Sequence, residues 1–204
     1  MSESEIDWNK IIKALLAVVA VGAVAYIAHK TSETKSIKIA KEEISKISGG
    51  KQLKRYTVFL SSTYKDLADE RKEIEDVFIL AGITVKCMER FTASDKEKTE
   101  YIRSQIDESD YIILIIGGRY GQLIPEESIS YTEYEFDYAV KKKKPVLPFI
   151  IDDPNEKNDS DNPSKLTAFK EKVNRMKTPR RCLKKNLVKE IPASFIRAIT
   201  DNPE

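Results

Sequence analysis

The side chains able to do chemistry in this chain are hydroxyls, carboxylates and cations, and they concentrate in three short stretches. Ser61, Ser62 and Thr63 close an apolar run just before a charged segment. Gly117, Gly118, Arg119, Tyr120 and Gly121 follow the most apolar run of the chain, and Glu133 and Glu135 follow Ser130. Hydroxyls at the start of a helix can hydrogen-bond a phosphate or ribose beside unpaired backbone N–H groups. Glycines let backbone approach a ligand, and a guanidinium matches carboxylate or phosphate. A carboxylate in the first two turns of the following helix can reach a bound sugar. Each stretch also has a structural reading. Thr63 and Asp66, like Ser130 and Glu133, have capping-box spacing, and Tyr120 can pack inward from a turn.

Composition removes several chemistries. The only histidine, His29, sits at the edge of an apolar run, which excludes a Ser-His-Asp triad, a Cys-His pair and a His-ligated zinc from the rest of the chain. Cys87 and Cys182 have no close partner, which fits a reduced compartment and offers no metal-ligand spacing. Neither G-x-x-x-x-G-K-[ST] nor G-x-G-x-x-G occurs. No metal and no cofactor are expected.

The elements that must position these residues alternate. Thr57–Ser62, Ile83–Met88, Tyr111–Gly118 and Pro145–Ile151 read as strands. Lys65–Ala81 reads as a helix with Leu67, Arg71, Ile74, Val77, Phe78 and Ala81 on one face. Further helices are expected over Lys96–Glu108, Tyr131–Lys143, Ser164–Met176 and Ile191–Thr200, with a weak strand near Arg181–Asn186. Continuous apolar strands alternating with helices predict an α/β, flavodoxin-like three-layer sandwich on a mostly parallel sheet. With order 2-1-3-4, strands one and three lie side by side at the switch point, where such sheets bind ligands. On the helix from Tyr131, the stripe Thr132, Phe136, Ala139 and Val140 is flanked by Glu133 on one side and Glu135 on the other, so periodicity does not choose between them.

Residues 1–10 form a tail, and Ile11–His29 is apolar apart from Lys13 and the terminal histidine. That is long enough to cross a hydrocarbon core of ~30 Å. It predicts a single-pass anchor; Ala23-Val24-Ala25 resembles a cleavage pattern, but Glu3, Glu5 and Asp7 do not suit a signal peptide. Lys30, Lys35, Lys38 and Lys41 place the C-terminal part in the cytoplasm. Residues 30–54 read as a helical stalk with a seam at Ile37, Ala40, Ile44 and Ile47, short for a coiled coil but compatible with a homodimer. Residues 55–152 carry the main α/β domain; residues 153–204, an acidic loop and basic helices, complete it. Lys165–Lys189 holds ten Lys or Arg against Glu171 alone. An anionic lipid surface suits it; nucleic acid does not, because only Phe169 interleaves.

Together these strings resemble the domain of unknown function family numbered 4062. Its V-F-x-S-S-T-x-x-D-L-x-x-E-R opening matches Val58–Arg71, a G-x-R-Y-G stretch matches Gly117–Gly121, and an S-x-T-E-x-E-x-x-x-A helix matches Ser130–Ala139. The resemblance spans Tyr56 to Ile151 and implies a fold similar to TIR domains and nucleoside deoxyribosyltransferases. The latter carry a G-T-x-x-E-x-G-Y-A-x(4)-K-P-V helix, matched here at Thr132, Glu135, Tyr138, Ala139, Lys144, Pro145 and Val146, with Tyr131 and Asp137 in place of its glycines. The resemblance therefore favours Glu135 over Glu133 as the catalytic carboxylate. It implies a nucleotide or NAD-like ligand held by Ser61, Ser62, Thr63, Gly117, Gly118, Arg119 and Tyr120. Cleavage of its N-glycosidic bond, in defence or stress signalling, would follow. Many TIR-like folds are instead silent assembly modules, a second expectation in which copies pair through that surface.

Overall fold

The computed structural model describes residues 55–87, 95–125, 127–152 and 162–201. The expected tail, anchor and stalk (1–54) and most of the acidic loop (153–161) lie outside the described residues. Among those described, no helix is long and apolar enough to cross a membrane.

Five strands, β1 (Thr57–Ser62), β2 (Thr84–Lys86), β3 (Tyr111–Ile116), β4 (Val146–Ile151) and β5 (Arg180–Cys182), form one sheet in the order β2-β1-β3-β4-β5. Every pairing is parallel. That is the flavodoxin-like order, and β5 extends the expected 2-1-3-4 at its edge. The helices are α1 (Ala68–Leu80), α2 (Asp95–Asp107), α3 (Tyr131–Lys141), α4 (Pro163–Met176) and α5 (Leu187–Asp201). A 3-10 turn, Lys184–Asn186, occupies what the sequence suggested as the far half of the last strand.

Side chains alternate across a strand, so a strand that is apolar at every position must be covered on both faces. β3 meets that condition, and all six of its residues are buried. Ile112, Leu114 and Ile116 join a core with Phe59 of β1, Ile102 and Ile106 of α2, Phe136 of α3 and Phe169 of α4. Tyr111, Ile113 and Ile115 join the opposite core with Val58, Leu60, Ile74 and Phe78 of α1 and Ile191 and Phe195 of α5. The two faces are thus α2–α3–α4 and α1–α5.

The first helix starts later than its periodicity predicts. Thr63 does not cap it: the Thr63 hydroxyl donates to Asp66 Oδ1 at 2.5 Å, a turn follows, and the helix begins at Ala68 after Leu67, with no side-chain cap. Spending the Thr63–Asp66 pair on a turn lengthens the loop at the carboxyl end of β1, where the switch point lies.

Candidate functional site

Consecutive residues of β1 face opposite layers, and that parity decides what its terminal hydroxyls do. Ser61 shares the parity of Phe59 and faces α3, where its hydroxyl donates to Glu135 Oε2 at 2.5 Å. Ser62 shares the parity of Leu60 and faces α1, where its hydroxyl accepts from the Arg71 guanidinium. The same guanidinium nitrogen donates to the carbonyls of Ser62 at 3.2 Å and Leu60 at 3.5 Å. The last turn of β1 therefore holds a carboxylate on one side and a cation on the other. Glu135 and Arg71 are 4% and 5% exposed. Burying either group costs several kcal/mol unless it is paired or hydrogen-bonded, and these contacts supply part of that compensation.

A cavity of about 490 Å³ opens between these groups at the carboxyl ends of β1 and β3. Of the residues predicted to bind or act, Ser62, Thr63, Arg119, Tyr120 and Glu135 line it. Ser61 is bonded to Glu135 and, like the buried Gly117 and Gly118, does not itself line the hollow. Gly117 is tight: a Cβ there would meet Asp66 Oδ2 at 2.7 Å and the Leu67 and Ile151 side chains at 3.5 Å. Asp66 Oδ2 is buried without a hydrogen-bond partner, so the glycine turn packs directly on an unsatisfied carboxylate oxygen. Gly121 has φ +93°, and a Cβ there would meet Thr63 Cγ2 at 2.9 Å, which ties the glycine turn to the hydroxyl cluster.

The remaining wall comes from α3 and α4. The Ser130 hydroxyl accepts from the Glu133 N–H at 3.2 Å and caps α3, but the Ser130 N–H donates to the Tyr120 hydroxyl at 3.3 Å, so the expected capping box forms in its Ser130 half. Tyr131 and Thr132, each about one helical turn before Glu135, line the cavity with it, and Asn162 reaches it from the start of α4. Glu133 is used elsewhere. Its carboxylate accepts from the Tyr120 hydroxyl at 2.5 Å and from Lys172 of α4 at 2.9 Å, and Lys172 also holds Asp137. This network fixes Tyr120, whose ring also meets Phe169 edge-on.

Arg71 is the cavity residue whose role the sequence reading missed. The signal was present: an arginine inside the stripe Leu67, Ile74, Phe78 of α1 is a charge at a core position, and such a residue is there for a partner. Arg71 also borders a second hollow of about 380 Å³ toward β2, shared with Leu60 and Tyr64 and reaching Cys87.

Burial first, and the bond to the Glu133 carboxylate second, push the Tyr120 hydroxyl up from 10.0 to about 12. A group that holds its proton more tightly when folded adds stability in full below its unfolded value and loses it as pH rises past the folded one. Thermal melts should therefore show stability falling between pH 10 and pH 12. Tyr120→Phe should flatten that part of the pH profile; an unchanged slope would count against the raised Tyr120 hydroxyl.

The family model described as "Domain of unknown function (DUF4062)" matches residues 57–199. The match contains all three stretches on which the resemblance rested and runs on past Ile151 through α4 and β5 into α5. No curated protein matches the chain.

Proposed function

Because the chain belongs to the DUF4062 family, whose description assigns no activity, we propose its function from the cavity: it binds a nucleotide or NAD-like ligand and cleaves the N-glycosidic bond. The observation that carries the proposal is Glu135, a buried carboxylate held by Ser61 and facing a hollow that also contains two arginines and three tyrosines. A volume of about 490 Å³ suits a ligand of nucleotide size. Tyr64 and Tyr131 offer faces for a base, Arg71 and Arg119 offer donors for phosphate, and Ser62, Thr63 and Thr132 offer hydroxyls for ribose.

In the reaction, the bond from the anomeric carbon to the base nitrogen breaks and its electron pair leaves with the base. Positive charge develops at the anomeric carbon, and Glu135 either stabilises it or bonds to it before water completes hydrolysis. That chemistry needs no histidine, in keeping with a chain whose only one is His29. The apolar stretch at 11–29 would tether the domain to a membrane with the cavity in the cytoplasm.

The test is to incubate the full chain with NAD, with mononucleotides and with nucleosides, and to follow released base by chromatography. Base release from at least one is expected. Binding without release would leave a ligand-gated module. Neither binding nor release, even with the chain clustered on liposomes, would leave the assembly reading, in which copies pair through the stalk or the surface around the cavity.

A further inference from the structure

All five strands run parallel, so every segment leading into a strand lies along one edge of the sheet, opposite the edge where the cavity opens. Lys141–Lys144 lead from α3 into β4, and Arg175, Met176 and Lys177 lead from α4 into β5. β4 and β5 are neighbours, and both helices cover the same face. Two basic stretches that are far apart in sequence therefore meet at one corner of the basal edge.

Most of the charge there is not spent on the fold. Lys141, Lys143 and Arg175 are exposed and Lys177 is half-buried. None of the four engages an acidic side chain among the described residues. The nearby acids have other uses. Asp107 pairs with Lys142, Glu108 with Lys86, and Asp110 accepts from the Thr57 N–H. Met176 is 48% exposed between Arg175 and Lys177. Lys143 has φ 57, in the left-handed region that favours glycine, so a charged side chain is kept where a glycine would be less strained.

The same edge receives the start of the domain. Residue 55 leads into β1 there, and the apolar stretch at 11–29 lies upstream of it in the sequence. We propose that this basal corner docks on the anionic headgroups of a lipid bilayer. Lys141, Lys143, Arg175 and Lys177 face phosphate and carboxylate groups, and Met176 enters the interface. Docking holds the Glu135 cavity toward the aqueous phase. Among the described residues the corner offers cations around one exposed methionine, and the ring beside Lys142, Tyr138, is engaged by Lys142 and Arg103 and stacked on Tyr134 rather than standing free as a platform for a base.

The test is hydrogen exchange on the full chain, reconstituted with phosphatidylcholine vesicles or with vesicles rich in phosphatidylserine. Exchange over 141–145 and 175–181 should slow about tenfold with the anionic lipid alone and recover in high salt, because such attraction fades within a Debye length. The quadruple variant Lys141→Glu, Lys143→Glu, Arg175→Glu, Lys177→Glu should lose the protection. Its exchange in β3 should stay as slow as in the native chain, which shows that the fold is retained. Equal exchange with both lipids would overturn the proposal. Protection of the same segments by an RNA or DNA oligonucleotide at the same salt, and not by the anionic vesicles, would assign the corner to nucleic acid instead.

Discussion

Glu135→Gln should lower the turnover number for base release by about 10²–10⁴, the range a positioned carboxylate commonly contributes. Ligand affinity should change only a few-fold. The substitution suits the site: the glutamine oxygen can still accept from Ser61, so the packing of α3 against β1 is kept while the negative charge is lost. Glu133→Gln provides the contrast. It removes a charge held by Lys172 and Tyr120 rather than one facing the cavity, so its effect should appear in the melting temperature more than in turnover. Rates measured at saturating ligand, beside melts of both variants, separate the two carboxylates. A Glu135→Gln protein that still releases base at the native rate would remove Glu135 from the chemistry.

That the two acids differ was not legible in the sequence, for a physical reason. On a helix capped by Ser130, Glu133 and Glu135 flank the same apolar stripe and are equivalent by periodicity. What separates them lies far away in sequence. Lys172, 39 residues beyond Glu133, takes one. Ser61, 74 residues before Glu135, takes the other. The sheet, by contrast, was legible, because β3 is apolar at every position and only a doubly covered parallel strand tolerates that. Its neighbours and the switch point then follow from connection handedness. The start of α1 was misplaced because the capping-box spacing of Thr63 and Asp66 is also the spacing of a side-chain bond closing a turn.

The paired serines ending β1 illustrate the same limit. Read along the chain they are two equivalent hydroxyls, and only the fold shows that strand parity sends Ser61 to the α3 acid and Ser62 to the α1 cation. Hydroxyls suit this place because the strand is leaving the sheet. The Leu60 and Ser62 carbonyls accept from the Arg71 guanidinium, and a short polar side chain at Ser62 can join them in binding that one donor.

Arg71→Met should lower stability by about 2 kcal/mol, because the Leu60 and Ser62 carbonyls and the Ser62 hydroxyl lose a shared donor at ~1–3 kcal/mol for a buried unsatisfied group. For a domain of this size that is a drop of about 4–8 °C in melting temperature. Two opposing effects set the sign. Methionine no longer asks the core to desolvate a guanidinium, and apolar replacement of buried charge is often neutral or stabilising. Here the acceptors belong to the backbone at the end of β1 and cannot be replaced along with the donor, so destabilisation should win. Arg71→Lys should recover only part of it, since an ammonium on a shorter stem falls short of the point from which one guanidinium nitrogen reaches all three acceptors. Ligand binding then separates support from recognition. If Arg71 meets phosphate, the methionine variant should bind a mononucleotide at least about tenfold more weakly while its affinity for the matching nucleoside changes little, a difference of roughly 1.4 kcal/mol. Equal weakening for both would make Arg71 a support of the β1 turn alone and leave phosphate to Arg119.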